Sequence, residues 1–297
     1  MDSDDKRLLQ EKIREIEIRA KKVVNTLFSG EYHSAFKGMG LIFAETRPYQ
    51  PGDDVRAMDW KVTARSGQPY IKLFHEEREL TLTLLVDMSG SGQYGSGGGF
   101  KNEAAANLCA ALAFSAIRNN DKVGLIAFTD QVELYIAPRK GRFHVLRLIR
   151  ELLYFKPRGR GTSVRQALEF MSRVIPKRSI AFLVSDLKDQ GYDKVMASIA
   201  RKHDLIAVRI YDKTEVSLPE VGYLLLEDAE TGERIVVDTG DMALRREFEL
   251  DAMARIREKS KNLASFGVDE VAVDAAGSYV EPLVKFFQLR EKRRKLG

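Results

Sequence analysis

The chain has 297 residues, of which 44% are hydrophobic and 31% charged, with a net charge of +5 and one cysteine. It can therefore bury a full core, and it cannot form an internal disulfide. Its apolar runs are shorter than the roughly 20 residues of a membrane span, and its first residues are acidic, unlike a signal peptide, so we expect a cytoplasmic protein. Cys109 lies among alanines and leucines and is predicted to be a core residue on a helix.

The first part of the chain is predicted to be an accessory region. Helical periodicity predicts an amphipathic helix over residues 5–27. Residues 28–80 contain glycines, prolines and short alternating segments, which predict a small β-containing extension. We therefore divide the chain into an N-terminal accessory region, residues 1–80, and a main domain, residues 81–297.

From residue 81 onward, predicted strands and helices alternate. The strands are predicted over residues 81–87, 122–128, 132–137, 179–185 and 204–211, and the helices over 101–119, 142–154, 163–175 and 190–201. This alternation predicts a doubly wound, largely parallel α/β sheet. The final segments are predicted to be a hairpin over 222–227 and 233–238, a helix over 241–264, a strand over 268–274 and a helix over 279–293.

Polar residues follow the first strand of this sheet. Residues 87–91 read Asp-Met-Ser-Gly-Ser, which places one carboxylate and two hydroxyls on a single turn. Open α/β sheets bind ligands where strands end, and hard cations prefer oxygen ligands. Asp186 ends another predicted strand and Thr162 precedes a helix, so a parallel sheet would bring both beside Asp87. A purely structural interpretation, with the aspartates capping helices and the hydroxyls closing turns, remains open.

This set of residues resembles the metal-ion-dependent adhesion site of the von Willebrand factor A fold, which is written Asp-x-Ser-x-Ser, then a distant Thr and a distant Asp. The resemblance implies a divalent metal ion, Mg²⁺ or Mn²⁺, and an exchangeable position that accepts an acidic side chain from another protein. The residues that it implies as metal ligands are Asp87, Ser89, Ser91, Thr162 and Asp186. Ser163 is an alternative to Thr162, and Lys188 is an alternative partner for Asp186.

A second resemblance lies upstream. Residues 47–61, Arg-Pro-Tyr-Gln-Pro-Gly-Asp-Asp-Val-Arg-Ala-Met-Asp-Trp-Lys, together with residues 70–77 and 284–287, are similar to a bacterial domain-of-unknown-function family encoded beside MoxR-type AAA+ ATPases. The resemblance implies a non-enzymatic adaptor or co-chaperone that presents protein clients to such an ATPase. Within this block, Asp53, Asp54 and Asp59 are open to two interpretations, an interaction face or turn residues, and Trp60 is expected in the core.

The main alternative is a Mg²⁺-dependent enzyme that processes phosphoryl groups or nucleotides with Asp87 and Asp186. Residues 90–95 match G-x-G-x-x-G after a strand, but the next helix is not predicted to begin before about Lys101, and Asp87 would repel phosphate. No cluster of lysines or arginines is expected at this loop. The four histidines are scattered, and no serine lies in a nucleophile motif, so we assign no catalytic residue.

The carboxyl-terminal segment is basic. Residues 281–295 contain six lysines or arginines against two glutamates. We expect a solvated helix end, because cations are favourable near a helix carboxyl terminus. Contact with an anionic membrane would be possible only through this tail, and nucleic-acid binding is not expected because no aromatic residues are interleaved with the charges.

Overall fold

The computed structural model describes residues 3–26, 31–36, 41–76, 79–96, 100–228 and 231–296. Residues 97–99 of the glycine-rich loop and residue 27 of the predicted first helix lie outside this part. Within it, no helix combines the length and apolar character needed to cross a membrane.

The helices and strands alternate through most of the chain. The helices are α1 (Ser3–Thr26), α2 (Glu31–Phe36), α3 (Trp60–Ser66), α4 (Lys101–Arg118), α5 (Arg142–Tyr154), α6 (Val164–Val174), α7 (Asp193–Lys202), α8 (Met242–Ser265) and α9 (Val280–Leu296). The strands are β1 (Leu41–Pro48), β2 (Tyr70–Glu76), β3 (Thr81–Asp87), β4 (Lys122–Phe128), β5 (Val132–Arg139), β6 (Ile180–Ser185), β7 (Asp204–Tyr211), β8 (Tyr223–Glu227), β9 (Arg234–Asp238) and β10 (Asp269–Asp274).

The chain divides into two compact units. Residues 36–80 form the smaller unit, and residues 1–35 together with 81–297 form the larger one. This division differs from the predicted boundary at residue 80, because α1 packs against α4 and α5 of the larger unit. Its buried residues Ile16, Ala20 and Val24 recur at helical spacing, which explains why α1 needs a partner surface.

The larger unit is built on a six-stranded sheet with the order β10-β7-β6-β3-β4-β5. Its strands pair in parallel except for β5, which is antiparallel to β4. The predicted doubly wound, largely parallel α/β sheet is therefore confirmed. Residues 82–86 of β3 are fully buried because helices cover both faces, which is why the central strands read as continuous apolar runs.

Helices pack on each face of this sheet. On one face, α6, α7 and the end of α8 form a core with β3, β4, β6 and β7. On the other face, the alanine-rich α4 packs against β3, β4 and β7, and its small side chains allow a close approach to the strands. Cys109 is buried on α4 as a free thiol, as predicted from its neighbours.

The smaller unit contains the antiparallel pair β1–β2 and the short helix α3. Its three aspartates have local roles, because Asp53 pairs with Arg47, Asp54 caps a short 3₁₀ helix and Asp59 caps α3. The expectation that Trp60 is a core residue is wrong, since this side chain is 69% exposed. Trp60 is the first residue of α3, and its side chain lies on the outer face of that helix.

Candidate metal centre

The strand order brings the two predicted carboxylates to one edge of the sheet. β3 lies between β6 and β4, and Val86 pairs with Val184. Asp87 is the last residue of β3, and Asp186 follows the last residue of β6. Since parallel strands end at the same edge, both carboxylates lie at the carboxyl end of the central strands, where open α/β sheets form ligand sites.

Asp87 is a buried carboxylate, with 8% of its surface exposed. Its Oδ1 accepts a hydrogen bond from the Ser89 N–H at 2.9 Å, and its Oδ2 accepts one from Ser185 Oγ at 2.7 Å. Burial raises the pKa of Asp87 to about 6, and the negative charge of Asp186 adds to the increase, although the hydrogen bonds from Ser185 and Ser89 oppose it. The ionised carboxylate is therefore incompletely compensated by its protein neighbours.

The two predicted serines lie beside these carboxylates. Ser89 Oγ and Ser91 Oγ are 3.1 Å apart, and a hydrogen bond with Ser91 contributes to lowering the pKa of Asp186. Asp87, Ser91 and Asp186 line a cavity of about 20 Å³. That volume holds a single water molecule or a small ion.

A lysine also lines this cavity. Lys101, the first residue of α4, is only 4% exposed, and its Nζ lies 3.3 Å from Asp186 Oδ2 and 2.5 Å from Glu215 Oε1. Burial alone would raise the pKa of Asp186, but the positive charges of Lys101 and Lys188 outweigh it, and the pKa is lowered. The Lys188 ammonium itself contacts Glu215 at 2.7 Å, whereas its backbone N–H donates to Asp186.

The segment that contains Thr162 lies at the same edge of the sheet. Gly90 N–H donates to the Arg160 carbonyl at 2.9 Å, and Ser163 N–H donates to the Thr129 carbonyl just beyond β4 at 2.8 Å. Ser163 Oγ accepts from the Gln166 N–H as the cap of α6, so this hydroxyl has a structural role. Thr162 does not line the 20 Å³ cavity among the described residues.

Both turns around the site are held by specific contacts. Leu187 adopts a φ of 58°, a left-handed conformation that leucine rarely takes, and its N–H donates to Ser185 Oγ at 3.0 Å. On the other side, Ser96 donates to Asp212 through its N–H at 2.8 Å and its Oγ at 2.6 Å. Burial would raise the pKa of Asp212, but the bonds from Ser96 and Thr214 outweigh it and lower the pKa to about 2.

Sequence reasoning missed three residues of this site. Lys101 was not predicted at the site, and its signal was its position, because a cation in the first turn of a helix opposes the helix dipole. The expectation that no cluster of lysines or arginines converges on the glycine loop is wrong, because Lys156, Arg158 and Arg160 line a groove together with Gly90 and Tyr94. Ser185 was included only as part of a strand, although it precedes Asp186 and its hydroxyl donates to Asp87. Glu215 ends a short 3₁₀ helix after β7, and its signal was the pattern Asp-x-x-Glu over residues 212–215, which forms a capping box.

The donors present suit a hard divalent cation. The carboxylates of Asp87 and Asp186 and the hydroxyls of Ser91 and Ser185 line a water-sized cavity, and all are oxygen donors. The predicted ligand Ser89 is not among the lining residues, although its hydroxyl contacts that of Ser91. Within the described part of the chain, no three His, Cys, Asp or Glu side chains form a metal-binding group. Any metal would therefore have two carboxylate ligands at most, completed by hydroxyl and water ligands, and the Lys101 ammonium would have to share Asp186 with it.

The basic carboxyl-terminal helix is partly neutralised within the fold. Arg290 pairs with Asp204 at 2.5 Å, and Arg293 pairs with Asp269 at 2.9 Å. Lys295 pairs with Glu291 one turn away. Several of the cations counted in the sequence therefore stabilise α9 against the sheet.

Comparison with known proteins gives relatives at low identity. The chain is 29% identical over 295 residues to the uncharacterised protein Rv1480 of Mycobacterium tuberculosis, covering 98% of this chain and 92% of that protein. The structure of BatB from Bacteroides thetaiotaomicron is 17% identical to this chain and has a TM-score of 0.46, and the match covers 72% of this chain and 99% of BatB. The VWA domain of SpRpn10 is 13% identical and has a TM-score of 0.41, and the match covers 70% of this chain and 94% of that domain.

A family comparison covers most of the sequence. The profile of the family described as "Protein of unknown function DUF58" matches residues 45–259. This range includes the upstream block with Asp53 and Trp60 and all five predicted metal ligands. The chain therefore belongs to the DUF58 family.

Proposed function

We propose that this protein is a metal-dependent protein-interaction module whose metal ion, held by Asp87, Ser89, Ser91 and Asp186 with Thr162 at the same edge, accepts an acidic side chain from a partner. The observation that carries the proposal is that Asp87, Asp186, Ser91 and Ser185 line a 20 Å³ cavity at the carboxyl end of the sheet. Ser89 does not line it, but its hydroxyl contacts that of Ser91. A cation with few anionic ligands keeps enough positive charge to attract a further carboxylate.

The buried Asp87 supports this assignment. Its pKa is raised because burial disfavours the charged form and, among the described residues, no lysine or arginine forms an ion pair with it. A divalent ion in the adjoining cavity would compensate that charge, so metal binding would stabilise the folded protein. The metal that we propose is Mg²⁺ or Mn²⁺, since both accept oxygen ligands.

A binding role fits the site better than catalysis. Lys101 is engaged by two carboxylates, Asp186 and Glu215, so it is not available as a phosphate-binding cation. The described part of the site contains no histidine, and the carboxylates that Ser185 and Ser91 contact, Asp87 and Asp186, are the proposed metal ligands. We therefore propose that the protein is not an enzyme and that it acts in the cytoplasm, as composition and the single buried cysteine suggest.

The partner that we propose is a MoxR-type AAA+ ATPase, for which the protein would act as an adaptor or co-chaperone for clients. Support for this partner comes from the resemblance of residues 47–61 to a family encoded beside such ATPases. The structure adds a candidate contact residue for the partner in this block, because the side chain of Trp60 is exposed to solvent. Exposed tryptophans are common anchors of protein interfaces.

Calorimetric titration with Mg²⁺ and Mn²⁺ tests the site directly. We expect wild type to bind metal, Asp87→Ala to lose binding, and Asp251→Ala, a control on the exposed side of α8, to bind like wild type. A pull-down with the ATPase from the same source, in metal or in EDTA, then tests the partner. Metal binding without metal-dependent association would retain the metal site and overturn the adaptor role.

A further inference from the structure

A groove opens beside the candidate metal site in the larger unit. It is lined by the turn after β3, by the loop between α5 and α6, and by the end of β8. Its volume of about 780 Å³ is within the range of sites that enclose a sizeable ligand. The lining residues are Gly90, Tyr94, Phe155, Lys156, Pro157, Arg158, Gly159, Arg160 and Glu227.

Three of these residues are exposed cations. Lys156, Arg158 and Arg160 alternate along the loop, and none of them is ion-paired to a carboxylate of the described residues. The acidic member of the lining, Glu227, is already paired with Arg234 at 2.7 Å. The lining therefore carries more positive than negative charge, although the Glu133 carboxylate interacts with the charge of Arg158, and Tyr94 and Phe155 add apolar surface.

The loop that carries the cations is held in place. The Glu133 carboxylate accepts hydrogen bonds from the backbone N–H groups of Arg158 at 2.8 Å and Gly159 at 2.9 Å. A Cβ at Gly159 would overlap the side-chain ends of Asp130 and Thr129, so the loop lies close to both residues. A preordered loop loses little conformational entropy when a ligand binds.

The groove borders the turn that carries two of the predicted metal ligands. The Gly90 N–H donates to the Arg160 carbonyl at 2.9 Å, and Gly90 lies between Ser89 and Ser91. An acidic side chain bound to the metal would therefore enter from a chain that lies beside the groove.

We propose that this groove binds an extended acidic segment of a partner polypeptide, with one carboxylate on the metal and neighbouring carboxylates on Lys156, Arg158 and Arg160. The inference rests on the proposed function, because it takes the metal as one end of the binding site. It adds the chemistry of the partner, which is a run of aspartates or glutamates in extended conformation. Charge complementarity of this kind raises both the rate and the specificity of association.

A fluorescein-labelled peptide of alternating glutamate and serine provides the probe, and its glutamine analogue provides the uncharged control. Fluorescence anisotropy is measured with Mg²⁺ at low salt on the intact protein. The test variant carries Lys156→Gln, Arg158→Gln and Arg160→Gln. The matched control, with the same change in net charge, carries Arg246→Gln, Arg255→Gln and Arg257→Gln on exposed positions of α8.

We expect the groove variant to bind the glutamate peptide about tenfold more weakly, since each exposed charge pair is worth up to roughly fivefold. The α8 control should bind like wild type, and the glutamine peptide should not bind. Unchanged metal binding by calorimetry and unchanged melting would show that the groove variant is folded.

Two kinds of result would overturn the inference while leaving the metal module intact. The first is a failure of the groove to select the peptide, seen either as metal binding without peptide binding or as peptide binding that the groove and α8 variants weaken equally. The second is oligothymidine binding as tightly as the peptide through the same three side chains, which would assign the groove to nucleic acid. If wild type binds no metal, the proposed function fails, and groove-dependent peptide binding would then support an acidic-segment site that works without it.

Discussion

Replacing Asp87 with asparagine is expected to stabilise the metal-free protein. The folded-state pKa of Asp87 is about 6, above its usual value of 3.8. The folded state therefore prefers the protonated form, and its stability falls as pH rises from 3.8 to 6. A difference of about 2.2 units corresponds to about 3 kcal/mol, because each unit is worth 1.36 kcal/mol. Asparagine is neutral at every pH and keeps an acceptor for the Ser89 N–H.

Urea unfolding followed by circular dichroism at pH 8 measures this effect. In EDTA, Asp87→Asn should be about 2 to 3 kcal/mol more stable than wild type, and the difference should shrink toward zero at pH 4. At a Mg²⁺ concentration of about 100 times Kd, wild type should gain about 2.7 kcal/mol and the variant nothing. Asp251→Asn, an exposed control, should change neither value.

Greater stability of wild type in EDTA would refute the reasoning, because it would mean that the Asp87 charge is already compensated within the protein. Equal stabilisation of both proteins by Mg²⁺ would place the metal elsewhere. The two halves of the experiment are independent, so one can fail without the other.

Three further changes have defined outcomes. Lys101→Met leaves Asp186 and Glu215 without their shared cation, so the free energy of unfolding in EDTA should fall by about 3 to 5 kcal/mol. Calorimetry should show tighter Mg²⁺ binding, because the lysine no longer competes for Asp186. Glu133→Gln replaces one of the two carboxylate oxygens that accept from the Arg158 and Gly159 N–H groups with an amide NH₂, so it should lower the free energy of unfolding in urea by about 1 to 3 kcal/mol and weaken glutamate-peptide binding. Burial, with the charges of Lys202 and Arg178, lowers the pKa of His203 from 6.5 to about 4. The neutral imidazole should therefore contribute about 3 kcal/mol to the free energy of unfolding above pH 6.5, and this contribution should be lost as the pH falls to 4.

Each of these outcomes has a matched check. Lys194→Met, at an exposed position of α7, controls for loss of a lysine charge. His203→Gln should flatten the acid dependence of stability between pH 6.5 and 4 relative to wild type, and an unchanged slope would show that His203 is not the titrating group. Unaltered metal affinity in Lys101→Met would contradict the competition for Asp186.

Much of the fold could be predicted because it depends on local patterns. The observed β3, β4 and β7 have the predicted bounds, since buried parallel strands are short apolar runs that end at polar residues. Helix α5 also has its predicted bounds, because its apolar residues recur at helical spacing. Trp60 was predicted wrongly, since residue type indicates a preference for burial but not which side of a short helix faces the core.

The sequence by itself determined the alternation of strands and helices and the Asp-x-Ser-x-Ser turn at a strand end, because these depend on the spacing of neighbouring residues. Only the tertiary structure decided that β6 lies next to β3 and brings Asp186 to Asp87, and that Lys101 is buried between Asp186 and Glu215. It also assembled the basic groove from Gly90, the loop over 155–160 and β8. These features join residues far apart in the chain, and their charges acquire a role only when folding removes water and places them within a few ångströms of one another.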